Sequence, residues 1–305
     1  MQRPGGSIRT IRHGGRPEAG RRDVLGALAA SGAAAALAGC SGLQLVDAVT
    51  STDGYAVARD VAYGPLPRQR MDIYVPAGKP PERPVPVVVF LYGGSWRQGS
   101  KEEYRFVGAY LARAGYVAVL PDYRLFPEVR FPVFVEDCAV ATTAARRLVA
   151  GFGGDPRRVF VMGHSGGAHM AALLGLEPGY LAAVGDDARA LSGVIGIAGP
   201  YDADFGTIRW LADVFPDARS RSEARVVDKA RSGAPPMFLA NGISDTLVPP
   251  RNAVALADRL RALGNRVDLR LYDGVSHGSI LLAFAPTLAG GATLGWDIAG
   301  FMSEV

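Results

Sequence analysis

The chain has 305 residues, enough for one large α/β domain or for two small ones. Its apolar fraction of 49% is ordinary for a globular protein with a sizeable core. Six arginines against two acidic residues in 1–39 account for the net charge of +4, so the remainder is formally neutral. The basic isoelectric point is therefore no argument for a nucleic-acid-binding surface.

The N-terminal segment has the pattern of an export signal. Arg21-Arg22 precede an alanine-rich apolar run, Val24 to Leu37, that is too short and too weakly apolar to span a bilayer. With the following Cys40, this segment resembles a twin-arginine signal that ends in a bacterial lipobox. The resemblance implies that residues 1–39 are a signal peptide and that Cys40 is lipidated on an exported protein, periplasmic or membrane-anchored. A disordered tail followed by an amphipathic helix with a chance cysteine is the alternative.

Residues 40–56 are predicted to be a polar tether, and residues 57–305 a single domain. In that domain short apolar runs alternate with helical patterns, which predicts a mostly parallel sheet with helices on both faces. The run from Val87 to Leu91 is apolar without alternation, as in a central strand covered on both sides. The eight predicted strands are Val57–Tyr63, Arg70–Val75, Val85–Leu91, Tyr116–Leu120, Arg158–Met162, Leu191–Ala198, Met237–Ala240 and Val267–Tyr272. The predicted helices are Glu102–Ala114, Val133–Gly151, Gly166–Leu176, Asn252–Leu263 and Leu294–Met302.

Three local features add detail to this predicted fold. The turn Gly64-Pro65-Leu66-Pro67 favours an antiparallel hairpin of the first two strands. Residues 200–232 fit no strand, and form either a small lid over the site or a long surface connection. Cys138 lies on the apolar side of a helical pattern and is predicted to be an inert core residue.

A serine stands in a sharp turn between the fifth predicted strand and the helix after it. The turn reads Gly163-His164-Ser165-Gly166-Gly167, a G-x-S-x-G pattern. The outer glycines leave room for a strained serine backbone, and the serine Oγ is exposed beside a helix N-terminus that favours negative charge. The pattern predicts that Ser165 is a nucleophile; a glycine-rich turn without chemistry is the alternative.

A serine hydroxyl needs a base to take its proton and a third group to hold that base. His13 lies in the predicted signal peptide. His164 adjoins the serine, and its side chain is expected to point away from Oγ. His169, on the following helix, is expected to face the sheet as a core residue. His277 remains, in a loop after the last strand, where parallel sheets assemble their sites.

Four carboxylates are candidates for the group that holds His277. Asp245 follows the seventh strand in a turn before a helix, and an ordinary turn or capping residue is its alternative role. Asp202 and Asp213 follow the sixth strand, whereas Asp273 lies awkwardly close to His277 in sequence. The residues alone leave this choice open.

Acyl transfer places negative charge on a carbonyl oxygen, and each preformed N–H donor that receives it lowers the barrier by about 3 kcal/mol. The amide of Gly166, directly after the serine, is one candidate donor. The loop Tyr92-Gly93-Gly94-Ser95-Trp96 follows the central strand, and its paired glycines allow the backbone to curl inward. A plain glycine turn is the alternative for this loop.

From about residue 57 onward the chain resembles α/β-hydrolases, specifically the hormone-sensitive-lipase-like and kynurenine-formamidase-like esterases. Besides the two glycine motifs, the resemblance lies in Asp122-Tyr123-Arg124-Leu125, Phe131-Pro132 with Glu136-Asp137, Gly153-Gly154-Asp155-Pro156, Asp245 with Val248-Pro249, and Ser276-His277. The order Ser165, Asp245, His277 is that of the family and selects Asp245 as the acid. The family's oxyanion donors match Gly94, Ser95 and Gly166. The family usually has histidine where Tyr92 stands, and that histidine helps to hold the loop. The resemblance therefore does not predict how this loop is oriented.

The resemblance implies an α/β-hydrolase fold and a serine hydrolase that cleaves small carboxylic esters through a Ser-His-Asp triad and an acyl-enzyme. It implies no metal, no organic cofactor and no nucleic-acid partner, with membrane contact only through Cys40. An amidase of the arylformamidase type would use the same triad. A catalytically inactive ligand-binding protein would use the same cleft, and Tyr92 is the one feature that favours this alternative.

Overall fold

The strands form a single eight-stranded sheet in a computed structural model that describes residues 50–78, 83–285 and 293–305. The strands are β1 (Tyr55–Ala62), β2 (Arg70–Pro76), β3 (Val85–Leu91), β4 (Val117–Pro121), β5 (Gly154–His164), β6 (Gly193–Ile197), β7 (Met237–Gly242) and β8 (Val267–Tyr272). Their order is β1-β2-β4-β3-β5-β6-β7-β8. β2 is antiparallel to both of its neighbours, whereas the pairs from β4 to β8 are parallel. The predicted mostly parallel sheet and its antiparallel first hairpin are confirmed.

Helices follow most of the strands along the chain. They are α1 (Arg105–Arg113), α2 (Val133–Leu148), α3 (Gly166–Leu176), α4 (Gly179–Ala182), α5 (Ala218–Ala224), α6 (Arg251–Ala262) and α7 (Leu294–Glu304). The predicted helix at 102–114 is divided, because a 3₁₀ turn, Lys101–Tyr104, precedes α1. Within the described ranges, no helix is long and apolar enough to cross a membrane.

The predicted leader, Cys40 and most of the predicted tether lie outside the described residues. The tether boundary at residue 56 is too late, because β1 already begins at Tyr55 and pairs with Pro76 of β2. This pairing gives the backbone of residues 55 and 56 ladder partners, which outweighs the polar sequence just before them.

The core lies on both faces of the central strands. Every residue from Val87 to Leu91 in β3 is fully buried, so both faces of this strand are covered, as predicted. Cys138 on α2 is also fully buried, and burial raises the pKa of its thiol well above the usual value. The thiol is therefore inert at neutral pH, as its place in the sequence predicts.

Residues 200–232, which we call the cap segment, pack on the loop that follows β3. Phe205 and Phe215 are buried and lie edge-on to the Trp96 ring, with centroids 5.6 and 5.0 Å away. Trp210 of the same segment is 53% exposed. The cap segment is thus folded against the molecule by its aromatic side chains and is not a loose surface connection.

The parallel strands bring four loops to one edge of the sheet. The loops after β3, β5, β7 and β8 all leave from the carboxyl ends of parallel strands, the edge at which α/β sheets assemble their sites. These loops carry the glycine loop (residues 92–96), Ser165, Asp245 and His277, in that order.

Candidate active site

Ser165 is held in a strained turn between β5 and α3. Its φ of 55° and ψ of −121° lie in a region that residues with a side chain rarely adopt. A Cβ on Gly167 would lie 1.9 Å from the carbonyl oxygen of Leu91, and one on Gly163 would lie 2.3 Å from the Gly167 backbone. Both positions therefore require glycine, and Ser165 stands at the N-terminus of α3, where the helix dipole favours negative charge.

The three residues predicted to form a triad are hydrogen-bonded in a chain. The Nε2 atom of His277 lies 2.9 Å from the Oγ of Ser165, and its Nδ1 lies 2.8 Å from Oδ2 of Asp245. A carboxylate only accepts, so Nδ1 carries the proton and Nε2 is free to accept from the serine hydroxyl. This is the protonation pattern that a general base beside a nucleophile requires.

The Asp245 carboxylate is buried and fully oriented by its surroundings. Its Oδ1 accepts from the amides of Leu247 at 3.0 Å and Val248 at 2.8 Å. Its Oδ2 accepts from Nδ2 of Asn241 at 3.3 Å in addition to His277. Asn241 is itself fully buried and also donates to the carbonyl of Val248, at 3.1 Å. These contacts leave the carboxylate one orientation, with Oδ2 toward the imidazole.

The three competing carboxylates have other partners. Asp202 pairs with Arg225, and Asp273 accepts from the amide of the adjacent Gly274. The side chain of Asp213 is 73% exposed. In the part of the chain described here, no group of three or more His, Cys, Asp or Glu side chains could hold a metal ion.

His169 is a buried core residue, as predicted, but it does not face the sheet. Its Nε2 donates to the carbonyl of Ala224 in α5 at 2.7 Å, and its ring lies edge-on to Trp96 and Phe205. The cap segment supplies this acceptor and aromatic surface on the outer side of α3, which explains the orientation. Burial lowers the pKa of His169 to about 4, so the ring is neutral at neutral pH.

His164 makes no hydrogen bond to Ser165, in agreement with the expectation that its side chain points elsewhere. Its Nε2 lies 3.0 Å from the carbonyl oxygen of His277, and the two rings are 4.8 Å apart between centroids. His164 is 5% exposed. The residue that adjoins the predicted nucleophile therefore contacts the loop of the predicted base, a contact that the sequence did not indicate.

The glycine loop packs directly on the turn that carries Ser165. A Cβ on Gly93 would lie 3.0 Å from the Cβ of Ser165, and one on Gly166 would lie 3.3 Å from the Trp96 ring. Gly94 has a φ of 125°, and a Cβ there would lie 2.1 Å from the carbonyl oxygen of Gln98. The loop thus packs tightly on the serine turn, and at Gly94 no larger residue could be accommodated without moving the backbone.

Tyr92 anchors the start of the glycine loop through contacts of its hydroxyl and its ring. Its hydroxyl donates to Oδ1 of Asp122 at 2.9 Å and accepts from Nη2 of Arg68 at 2.9 Å. Its ring stacks on Tyr123 with centroids 4.4 Å apart, and the Tyr123 hydroxyl donates to the Tyr92 carbonyl at 2.8 Å. Burial raises the pKa of Tyr92 well above its usual value. The Tyr92 side chain is therefore buried and held by Asp122, Arg68 and Tyr123.

Comparisons with known proteins find esterases. Residues 71–203 match the family described as BD-FAE. The chain is 31% identical over 249 residues to isoprenylcysteine α-carbonyl methylesterase of Arabidopsis thaliana, a match that covers 74% of this chain and 57% of that protein. It is 33% identical over 259 residues to esterase LipC of Mycobacterium tuberculosis, which covers 76% of this chain and 62% of LipC. The chain spans less than two thirds of the length of these relatives.

Solved structures of esterases share the architecture at lower sequence identity. Esterase B from Lactobacillus rhamnosis has a TM-score of 0.72 at 17% identity, over 94% of this chain and 97% of that one. A truncated carbohydrate esterase from gut microbiota has a TM-score of 0.69 at 20% identity, over 83% of this chain and 98% of that one. These likenesses concern the arrangement of strands and helices.

Proposed function

We propose that this chain, which has the α/β-hydrolase fold of those esterases, is a serine hydrolase that cleaves small carboxylic esters through an acyl-enzyme. The observation that carries the proposal is the hydrogen-bonded chain from Ser165 through His277 to Asp245, beside the glycine loop. The relatives named as methylesterase and esterase support the same reaction class. The predicted resemblance to α/β-hydrolase esterases is confirmed by these matches.

In the first half of the reaction, Ser165 attacks the ester carbonyl carbon. Its hydroxyl donates to Nε2 of His277, which takes the proton as the oxygen–carbon bond forms. The Nδ1–H of His277 donates to Asp245, whose negative charge stabilises the imidazolium. The imidazolium then gives its proton to the leaving alcohol, and the acyl group remains on Ser165.

The negative charge that develops on the carbonyl oxygen is received by backbone amides. We assign this role to the amides of Gly94, Ser95 and Gly166, each of which lowers the barrier by about 3 kcal/mol. The N-terminus of α3, which begins at Gly166, adds a favourable dipole. The contacts between the glycine loop and the serine turn support this assignment.

Water completes the reaction by the same route in reverse. His277 takes a proton from a water molecule, which attacks the acyl carbon, and the proton returns to Oγ of Ser165 as the carboxylic acid leaves. One ester and one water give one acid and one alcohol, and the enzyme regains its starting protonation. Tyr92 no longer favours an inactive protein, because its side chain anchors the glycine loop at the contacts with Asp122 and Arg68.

Covalent labelling with a fluorophosphonate tests the proposal. We expect one label per chain, located on Ser165 by peptide mass spectrometry, and none on the Ser165→Ala variant. Ser192, which lies before β6 and donates weakly to the Arg157 carbonyl at 3.4 Å, provides the control. Ser192→Ala should label at the wild-type rate, and a wild-type chain that takes no label, or takes it elsewhere, would overturn the proposal.

A further inference from the structure

His164 connects three parts of the candidate active site. It ends β5 and directly precedes Ser165. Its Nε2 lies 3.0 Å from the carbonyl oxygen of His277, in the loop after β8. A Cβ on Gly93 of the glycine loop would lie 3.1 Å from its Nδ1. One buried side chain therefore touches the turn of the nucleophile, the loop of the base and the loop of the oxyanion donors.

The loop that carries His277 begins far from β5, the strand that precedes the nucleophile. β8 is an edge strand, and β6 and β7 separate it from β5, which places it about 14 Å from β5 at the usual strand spacing. The neighbouring Asp273, Gly274, Ser276 and Gly278 are all exposed, whereas Val275 is half-buried against the core. Within this loop, the carbonyl of Val275 accepts from the amide of Ser244, which ties the loop only to the end of β7.

The hydrogen bond from His164 links the backbone of this loop to the strand of the nucleophile, beside the side-chain contact of His277 with Ser165. A carbonyl oxygen only accepts, so Nε2 of His164 carries the proton and donates. Its Nδ1 is then unprotonated, and it is buried with no hydrogen-bond partner among the described residues. Burial, and then the nearby His277, lower the pKa of His164 to about 3. The ring is therefore neutral at neutral pH and adds no charge against the imidazolium that forms on His277.

We propose that His164 is a positioning residue, which holds the His277 loop over Ser165 by donating its Nε2 hydrogen bond to the His277 carbonyl. The inference rests on the proposed function, because it assigns His277 the part of the base. The imidazole of His277 reaches Ser165 over 2.9 Å, and displacement of a catalytic group by about 1 Å can cost about 100-fold in rate. The side chain makes no hydrogen bond to Ser165, so its effect passes through His277, whose carbonyl accepts its hydrogen bond and whose ring lies 4.8 Å away between centroids.

Variants that keep or remove the donor test this role by their kinetics on p-nitrophenyl acetate. His164→Gln retains an N–H donor of similar reach, whereas His164→Leu and His164→Ala lack one. We expect kcat of the Leu and Ala variants to fall about 10- to 100-fold with KM little changed, and that of the Gln variant to stay within about threefold of wild type. Thermal unfolding of the three variants shows whether they are folded at the assay temperature.

The result that would overturn the inference is equal kcat for folded Gln and Leu variants, or a loss that appears only in KM. The ¹⁵N spectrum of the wild-type ring provides a second readout if the Leu and Ala variants do not fold. It should show His164 protonated at Nε2 and unprotonated at Nδ1 from pH 5 to 8, and the opposite tautomer would overturn the inference. If instead wild type and Ser165→Ala hydrolyse the ester equally, the proposed function fails, while the spectrum still reports on the contact.

Discussion

Asp245 accepts three hydrogen bonds besides that of His277, and these determine where its carboxylate points. The amides of Leu247 and Val248 bind one oxygen, and Asn241 binds the other together with His277. The residue is 3% exposed, so water does not compete for these contacts. The carboxylate therefore selects the His277 tautomer whose Nε2 can accept the Ser165 proton.

Replacement of this carboxylate by an amide tests the selection of the tautomer. Asp245→Asn should lower kcat for ester hydrolysis about 10⁴-fold with the fold intact, because an amide N–H facing Nδ1 leaves the proton on Nε2. Asp273→Asn, at an exposed acid four residues before His277, is the matched control and should behave as wild type. An Asp245→Asn enzyme that kept more than about a tenth of wild-type kcat would contradict the assignment.

Gly94 allows a second test at the scale of one residue. A Cβ at Gly94 would lie 2.1 Å from the Gln98 carbonyl oxygen and forces the glycine loop to move. Gly94→Ala should therefore lower kcat about 100-fold, the usual cost of a lost oxyanion donor. Gly115 also has a positive φ, of 93°, but a Cβ there would meet no atom of the described residues within 4 Å. Gly115→Ala should keep wild-type kcat, and equal activity of both variants would contradict the assigned oxyanion donors.

The sequence predicted the three residues of the hydrogen-bonded chain, but not two side chains that contact Asp245 and His277 beside them. Ser165 was predicted from a pentapeptide and His277 by a choice among four histidines, and a hydrogen bond joins the two side chains in the structure. Asn241 was missed although Asp245 is only four residues away, because the turn after β7 determines which side chain meets the carboxylate. His164 was missed because only the fold brings its partner near. The partner of His164 is 113 residues away in sequence, and no local pattern records which backbone carbonyl will arrive there.

At the scale of elements, the cap segment is held by aromatic packing against the glycine loop. Phe205 and Phe215 stack on each other with centroids 4.1 Å apart, and both contact Trp96. The amide of Phe131 also donates to the carbonyl of Val214 in this segment, at 3.1 Å. The cap segment therefore packs on Trp96 at the end of the glycine loop.

Truncation of one aromatic anchor measures this support. Phe215→Ala should lower the free energy of unfolding by about 3 kcal/mol, the usual cost of removing a buried phenyl ring. Trp210→Ala removes a larger ring from the same segment, but that ring is 53% exposed, so the change should stay within about 0.5 kcal/mol. Urea unfolding measures the free energy of unfolding of both variants. Equal values for Phe215→Ala and Trp210→Ala would show that the cap segment does not depend on Phe215.

Several element boundaries agree with the sequence prediction, and others do not. β3, β8 and α3 begin and end as predicted, whereas β5 extends from Gly154 to His164, beyond the predicted 158–162. α4 and α5 have four and seven residues, too few for a helical period to show in the sequence. α5 is stabilised at its start by the capping box of Asp217 and Ser220.

At the scale of the whole molecule, the parallel order of the strands assembles the site. Residues 165, 245 and 277 are far apart in sequence, yet each follows the carboxyl end of a parallel strand, and these ends meet at one edge of the sheet. The fold class was predictable because alternation of strands and helices leaves few topologies. How the four loops contact one another was not, since those contacts are made by the loops and not by the periodic elements.

The export signal and the lipidation of Cys40 remain a prediction from the sequence. In a bacterium that expresses the full chain, the protein should be recovered with the membranes, and Cys40→Ala should move it to the soluble fraction, because the acylated residue is lost. Ser41→Ala is the matched neighbour and should stay with the membranes. Unchanged fractionation of Cys40→Ala would contradict the lipid anchor.

Hydrolysis of p-nitrophenyl acetate by wild type and by Ser165→Ala tests directly whether Ser165 is the nucleophile. If Ser165 forms the acyl-enzyme with His277 as its base, the alanine variant should lose about 10⁴-fold or more of kcat/KM while it unfolds at a similar temperature. A Ser165→Ala variant that cleaves the ester as fast as the wild-type protein would show that Ser165 is not the nucleophile.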